Sequence, residues 1–327
     1  MDSKTAKDNK PGKKPTPGGG GMGGGNEPMG ALGAFFAPRI RELKFDMHLL
    51  SKSATSIAGL ILLSMLTVLA AFPWVFATPE LGADPYFLPF DKYEPTPLPP
   101  MTDGFLLGSG VNGADIYYGI VWGARISMTF AIQVVFISLI IGTLLGIFSG
   151  YKGGLVDELI MRITDVFLSI PSLILVMAIA AVLGRDLNAT KIALIMVWWS
   201  GYTRLVRGQV LSIKENSYID AARASGSSEG KIMIKHIFPN SWAPLLVAAT
   251  MDMGTVVLVM AGLSYLGLGA EHGMAEWGVM INDGQRWFVI GYWWTVFFPG
   301  MAILTFVMAF NLLGDGLRDI FDPKMRR

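Results

Sequence analysis

The sequence predicts an all-α polytopic membrane protein with six transmembrane helices, one helix followed by a five-helix core. Three observations lead there. Hydrophobic residues make up 52% of the chain and charged residues only 16%, and several apolar runs reach the roughly 20 residues a helix needs to cross a bilayer. Lysine and arginine gather before the first run and in one long connection rather than evenly. The runs also contain glycine, proline and methionine freely, which a helix bundle tolerates because neighbouring helices satisfy backbone groups and small residues permit close approach.

The apolar runs are 54–76, 125–149, 160–183, 191–211, 243–268 and 292–314. Ahead of them, residues 1–45 read as a disordered basic tail rich in Gly and Pro, including the run Gly18 to Gly25 interrupted by Met22, with too little apolar surface to fold. It does not read as a cleaved signal peptide, because the apolar run starts only near residue 54, so the first helix, within 46–77, is expected to be retained. Residues 78–118 form an outer loop with seven prolines, at positions 79, 85, 89, 95, 97, 99 and 100, and with Tyr86, Phe87, Phe90 and Tyr93 among them. An extended lid that touches an external partner or screens a pore mouth is the expected role, a passive linker the plainer one. The core domain runs from 119 to 327.

Charge orients the chain. Nine basic residues precede the first run, and Arg204, Arg207, Lys214, Arg223, Lys231 and Lys235 surround the long connection between the fourth and fifth, whereas the outer loop carries Glu80, Asp84, Asp91, Glu94, Asp103 and Asp115 against Lys92. Because short cytoplasmic loops are enriched in Lys and Arg, both termini and the long connection are expected in the cytoplasm.

That connection, 212–242, contains the most specific pattern in the chain. Ser217 three residues ahead of Asp220 has the spacing of a capping box, so a helix is expected to begin near Tyr218. Ala221, Ala222 and Ala224 favour helix, and Gly226 suits the left-handed residue that ends one. A second segment, Ser228 to Ile237, is expected to stop at Pro239, which lacks an amide hydrogen.

Polar residues inside the runs are candidates for a transport path. Asp252, beside Met251, is the strongest, since an ionised Asp at a helix centre costs about 2.5–3.5 kcal/mol on insertion scales. Lining a wet cavity that meets a polar or cationic substrate group is the expected role, and hydrogen bonding between helices the alternative. Met251, Gln133, Asn311, Trp198 and Trp199 are further candidates. Arg162 and Asp165 read as structural, exposed or paired with each other. Asn188-Ala189-Thr190 matches a glycosylation acceptor weakly. The chain has no GxxxxGK[ST] phosphate loop, no cysteine, and three widely separated histidines (His48, His236, His272), so neither nucleotide binding, metal binding nor catalysis is expected of it.

The string Tyr218-Ile219-Asp220-Ala221-Ala222-Arg223-Ala224-Ser225-Gly226, with His236 and Pro239-Asn240 following, resembles the cytoplasmic coupling loop of ABC importer permeases, with Asp220 where that family usually has Glu. From about Leu107 onward the chain is similar to the C-type permease subunit of the oligopeptide, dipeptide and nickel branch. The similarity is carried by Gly123-Ala124-Arg125-Ile126-Ser127, Ile170-Pro171-Ser172, Arg204-Leu205-Val206-Arg207-Gly208-Gln209, Leu263 to Gly269 and Asn311 to Asp319. A departure precedes the core, where Phe105 to Asp115 lacks the His, first Asp and Arg usual in the family.

The resemblance implies a type I ABC importer permease fold in a prokaryotic cytoplasmic membrane. It implies as partners a second homologous permease, two ATPase subunits that carry ATP and Mg²⁺, an extracytoplasmic solute-binding protein and membrane lipid, with no nucleic acid. It assigns ATPase coupling to Tyr218, Ile219, Asp220, Ala221, Ala222, Arg223, Ala224, Gly226, His236 and Pro239, with Tyr218 and Ile219 as anchors in an ATPase groove. Peptide is the first expectation for cargo, with oligosaccharide or nickel as alternatives. The rival from another class is an ion-coupled secondary transporter whose broken helices Pro171, Pro244 and Pro299 would mark.

Overall fold

The computed structural model describes residues 54–89, 95–102 and 104–321; the basic tail falls outside them. Among the described residues all regular structure is helical, with three isolated β-bridges. The helices are α1 (Ala54–Ala71), α2 (Pro73–Phe76), α3 (Ile116–Lys152), α4 (Gly154–Ser169), α5 (Ser172–Leu183) and α6 (Leu187–Ile213). There follow α7 (Ser217–Ala224), α8 (Glu229–Ile232), α9 (Phe238–Tyr265), α10 (Trp277–Val289) and α11 (Trp294–Phe321). Four segments are long and apolar enough to cross a membrane: α1, α3, α11 and the rod that runs from α8 through α9. The pair α4 and α5, bent by 91° at Ile170–Pro171, is a fifth if it counts as one broken span. Helix α6 is long enough to be the sixth, 27 residues or about 40 Å, and carries Lys191, Arg204 and Arg207 within that length.

Four details differ from the sequence-based expectation. Helix α3 starts nine residues before the apolar run, because the Asp115 carboxylate accepts the Tyr117 amide at 2.8 Å and caps it there. The third run is two helices: Ile170 is extended ahead of Pro171, as residues before proline tend to be, and the missing proline amide breaks the ladder. Pro239 does not stop a helix. The Phe238 amide bonds to the Met233 carbonyl in a π turn over Met233–Ile237, and Pro239 then occupies the first turn of α9, where its lost donor is an orphan anyway. Finally, α10 lies between the last two predicted spans and is too short to cross.

Helix α3 is the centre of the bundle and packs most extensively on α6. Glycine makes this possible: Gly142, Gly146 and Gly150, four residues apart on one face of α3, lie directly against Tyr202, Val206 and Val210 of α6, also four apart. A Cβ on Gly146 would lie 2.6 Å from the Val206 Cβ and 2.7 Å from the Thr203 carbonyl oxygen.

The outer segment is stitched to the bundle. Leu88 donates to Gly273 and Ala275 donates to the Tyr86 carbonyl, each at 2.8 Å, while the Tyr118 hydroxyl bonds the Pro85 carbonyl and the indoles of Trp122 and Trp294 bond the carbonyls of Ala77 and Ser109. Its described residues are therefore held to the bundle, with prolines leaving few amides of their own to satisfy.

Candidate functional site

Two places carry candidate function. The first is the α7–α8 segment. Its helix begins one residue earlier than expected, at Ser217, with Asn216 in the capping position. The capping box does not form: Ser217 is already inside the helix, and Asp220 is held instead by Arg223 at 3.3 Å, three residues on. The far end follows the expectation. Gly226 has φ +77°, its amide bonds the Arg223 carbonyl, and the Ser227 amide reaches back to the Ala222 carbonyl, which completes a Schellman cap.

Helical periodicity divides α7 into two faces. Ile219 is fully buried and Ala222 half-buried, packed on the core together with fully buried Ile232 and Ile237, so Ile219 is an internal anchor and unavailable to a partner. Tyr218, Asp220, Ala221, Arg223, Ala224 and Gly226 are exposed, and Tyr218 lies beside the ring of His236. Pro239 is exposed at the start of α9.

Polar contacts fasten this segment to the bundle. Asp157 of α4 takes both guanidinium hydrogen bonds of Arg207 of α6, at 2.6 and 2.7 Å, and the Ser149 hydroxyl of α3 as well. Lys152 donates to Glu229 of α8 at 2.5 Å, Lys214 caps the Gly150 carbonyl at 3.0 Å, and Arg223 lies over the Tyr151 ring. The α3–α4 corner, with Gly153 and Gly154 both at positive φ, thus touches both ends of the connection. Arg162 and Asp165 do not pair with each other. On α4 they are three residues apart, but Asp165 meets Arg204 of α6 and Arg162 meets Glu158 one turn earlier.

The second place is a cavity of about 620 Å³ at the α4–α5 break, lined by Phe167 to Ser172, by Val197, Trp198 and Ser200 to Tyr202, by Leu205, and by Ala248 and Asp252 of α9. The Asp252 carboxylate faces the Tyr202 hydroxyl and the Trp198 indole. The other path candidates are elsewhere. Met251, about 100° around the helix from Asp252, packs on Gly314 of α11, and Asn311 lies three residues before that glycine. Gln133 lines a separate cavity of about 380 Å³ beside the outer segment, with Asp84, Asn188 and Lys191. Trp199 contacts Phe167 and bonds the Met196 carbonyl. Among the described residues no cluster of His, Asp and Glu has metal-holding geometry.

Sequence reasoning missed Glu276. It is fully buried, yet it caps α10 by accepting the Gly278 and Val279 amides at 3.0 and 2.9 Å. Burial pushes its carboxyl up from the usual range, against the pull of those amides and of the Ser264 hydroxyl. The signal available was an acid at the capping position of an amphipathic stretch.

Residues 142–327, which contain both places, match the protein family described as binding-protein-dependent transport system inner membrane component. The chain belongs to this family. Similar proteins include the dipeptide transport system permease protein DppC of Alkalihalophilus pseudofirmus, 41% identical over 85% of this chain and 88% of its own. The glutathione transport system permease protein GsiD of Pectobacterium atrosepticum is 36% identical over 86% of this chain and 91% of its own. A probable D,D-dipeptide transport system permease protein of Escherichia coli is 43% identical over 66% and 72%. As a member of this family it is an inner membrane transport component, and the described residues include several helices long and apolar enough to cross a membrane.

Proposed function

We propose that this chain is a permease subunit of an ATP-driven peptide importer. With a second homologous permease it forms the path, an extracytoplasmic solute-binding protein delivers the peptide, and two ATPase subunits holding ATP and Mg²⁺ dock on the opposite side. The relatives whose names specify dipeptides and glutathione support peptide as cargo. The positive-inside bias supports a cytoplasmic α7–α8 end and cytoplasmic termini.

The observation that carries the coupling role is a short, double-faced helix rigidly joined to the spans. Its inner face, Ile219 and Ala222, is sealed on the bundle, and its outer face, Tyr218, Ala221 and Ala224, with Gly226 just beyond, is free to enter a groove. Closure of the ATPases on ATP would push α7 as a body. Because only three residues separate α6 from α7, and four separate α7 from the α8–α9 rod, that push tilts both as a rigid-body switch between inward-open and outward-open forms. The Asp157–Arg207 pair keeps α4 in step.

Reconstitution with the binding protein and ATPases in proteoliposomes tests this. Uptake of labelled L-alanyl-L-alanine that requires ATP, the binding protein and an intact Gly226 supports the proposal. Uptake that follows an ion gradient without any ATPase establishes a secondary transporter instead, and ATP-driven uptake of only oligosaccharide or nickel reassigns the cargo.

A further inference from the structure

The cavity at the α4–α5 break holds a carboxylate whose neighbours leave it electrically incomplete. Asp252 takes part in none of the ion pairs among the described residues, although it stands in the middle of a bilayer-length helix. What faces it from α6 are the Tyr202 hydroxyl, on a residue only 2% exposed and sealed from solvent, and the Trp198 indole, polar but uncharged partners that leave the carboxylate's charge unbalanced. Two buried polar groups on different helices thus converge on one space.

The remaining walls favour a cation. Phe167 and Trp198 contribute aromatic faces, which attract an ammonium through the ring quadrupole. Residues 167–169 are the carboxyl end of α4, whose last carbonyls have no helical partner, while Ser172 opens α5 on the same wall, so the two helix dipoles oppose each other there and the charge preference is set by Asp252 and the aromatic faces. Packing limits the arrangement: a Cβ on Gly142 would lie 2.4 Å from the Tyr202 Cβ, so the α3 backbone leaves Tyr202 no room to shift on that side.

From this we infer that the cavity is an ammonium subsite. Asp252 supplies the charge, the Tyr202 hydroxyl accepts an N–H hydrogen bond, and Trp198 and Phe167 shield the cation from lipid. A primary amine such as the amino terminus of a peptide has the chemistry to fill it. The inference rests on the permease reading for its transport role, since it places one stop of the cargo inside this subunit.

The test is a binding measurement that needs no transport. The full-length chain, labelled with 5-fluorotryptophan and placed in nanodiscs, is titrated with ethylammonium chloride, and the Trp198 fluorine resonance is assigned with Trp198→Phe. A saturable shift with ethylammonium that is absent with ethanol, lost in Asp252→Asn and kept in Asp252→Glu is the expected result. No shift, or an equal shift in Asp252→Asn, overturns the subsite. Uptake of L-alanyl-L-alanine is measured in parallel: uptake without the shift removes the subsite and leaves the importer, whereas the shift without uptake removes the importer and leaves the subsite.

Discussion

Replacing Gly146 by Ala tests the glycine seam that holds α3 on α6. The new methyl carbon would lie 2.6 Å from the Val206 Cβ and 2.7 Å from the Thr203 carbonyl oxygen, whereas carbon atoms rest about 3.5–4.0 Å apart. Neither neighbour can turn away, because one is a Cβ on a fully buried residue and the other is backbone, so the helices must part by about 1 Å. Overpacking of this kind costs about 3 kcal/mol at the upper end of its range, and the better helix propensity of Ala returns about 1 kcal/mol. The net loss is about 2 kcal/mol. Gly208, two residues after Val206, has no heavy atom within 4 Å of its would-be Cβ, so Gly208→Ala keeps only the propensity gain of about 1 kcal/mol. Equilibrium unfolding of the two variants in one detergent should differ by about 3 kcal/mol. Equal stabilities would refute the seam.

On α7, Ile219→Ala should cost about 2–5 kcal/mol as a buried truncation, while Tyr218→Ala, on the exposed face, should change stability by under about 0.5 kcal/mol and yet lower peptide-stimulated ATP hydrolysis in the assembled importer. Gly226→Val meets no neighbour but must hold a left-handed conformation costing about 1–2 kcal/mol; thermal unfolding should show that loss, and ATP hydrolysis should uncouple from uptake. Burial raises the Glu276 carboxyl above its unfolded value, so the folded chain keeps that proton to higher pH and stability falls as pH rises from the ordinary glutamate range through the raised one. Glu276→Gln should flatten this slope in unfolding midpoints taken from pH 4 to 8, and an unchanged slope would contradict it.

Much of the architecture was legible because it rests on one-dimensional signals: apolar length gave the spans, and the Ala-rich string ending at Gly226 gave a helix with its terminator. What stayed hidden depends on partners far along the chain. Whether Ser217 or Asn216 caps α7, and whether Asp220 serves the cap or Arg223, turns on a one-residue shift. Pro239 reads alike as a stop and as a first-turn residue, and the π turn that decides between them has no signature of its own. Asp252 was visible as a polar residue in an apolar run. Its company was not, because Tyr202 and the Pro171 break lie 50 and 81 positions away in sequence. Gln133 and Asn311 carried the same one-dimensional signal as Asp252, and Met251 only its adjacency to it, and the fold places all three elsewhere.

The central claim, that the exposed face of α7 is where an ATPase pushes, is tested most directly by photo-crosslinking. A benzoylphenylalanine at Tyr218 is compared with one at Val182, an exposed position near the end of α5 and, along α6, at the far end of the bundle. In complexes purified from the native host, the account predicts an adduct with an ATPase chain from position 218 and none from 182, strengthened when ATP is bound. Crosslinks from 218 only to lipid or to this chain itself would contradict it.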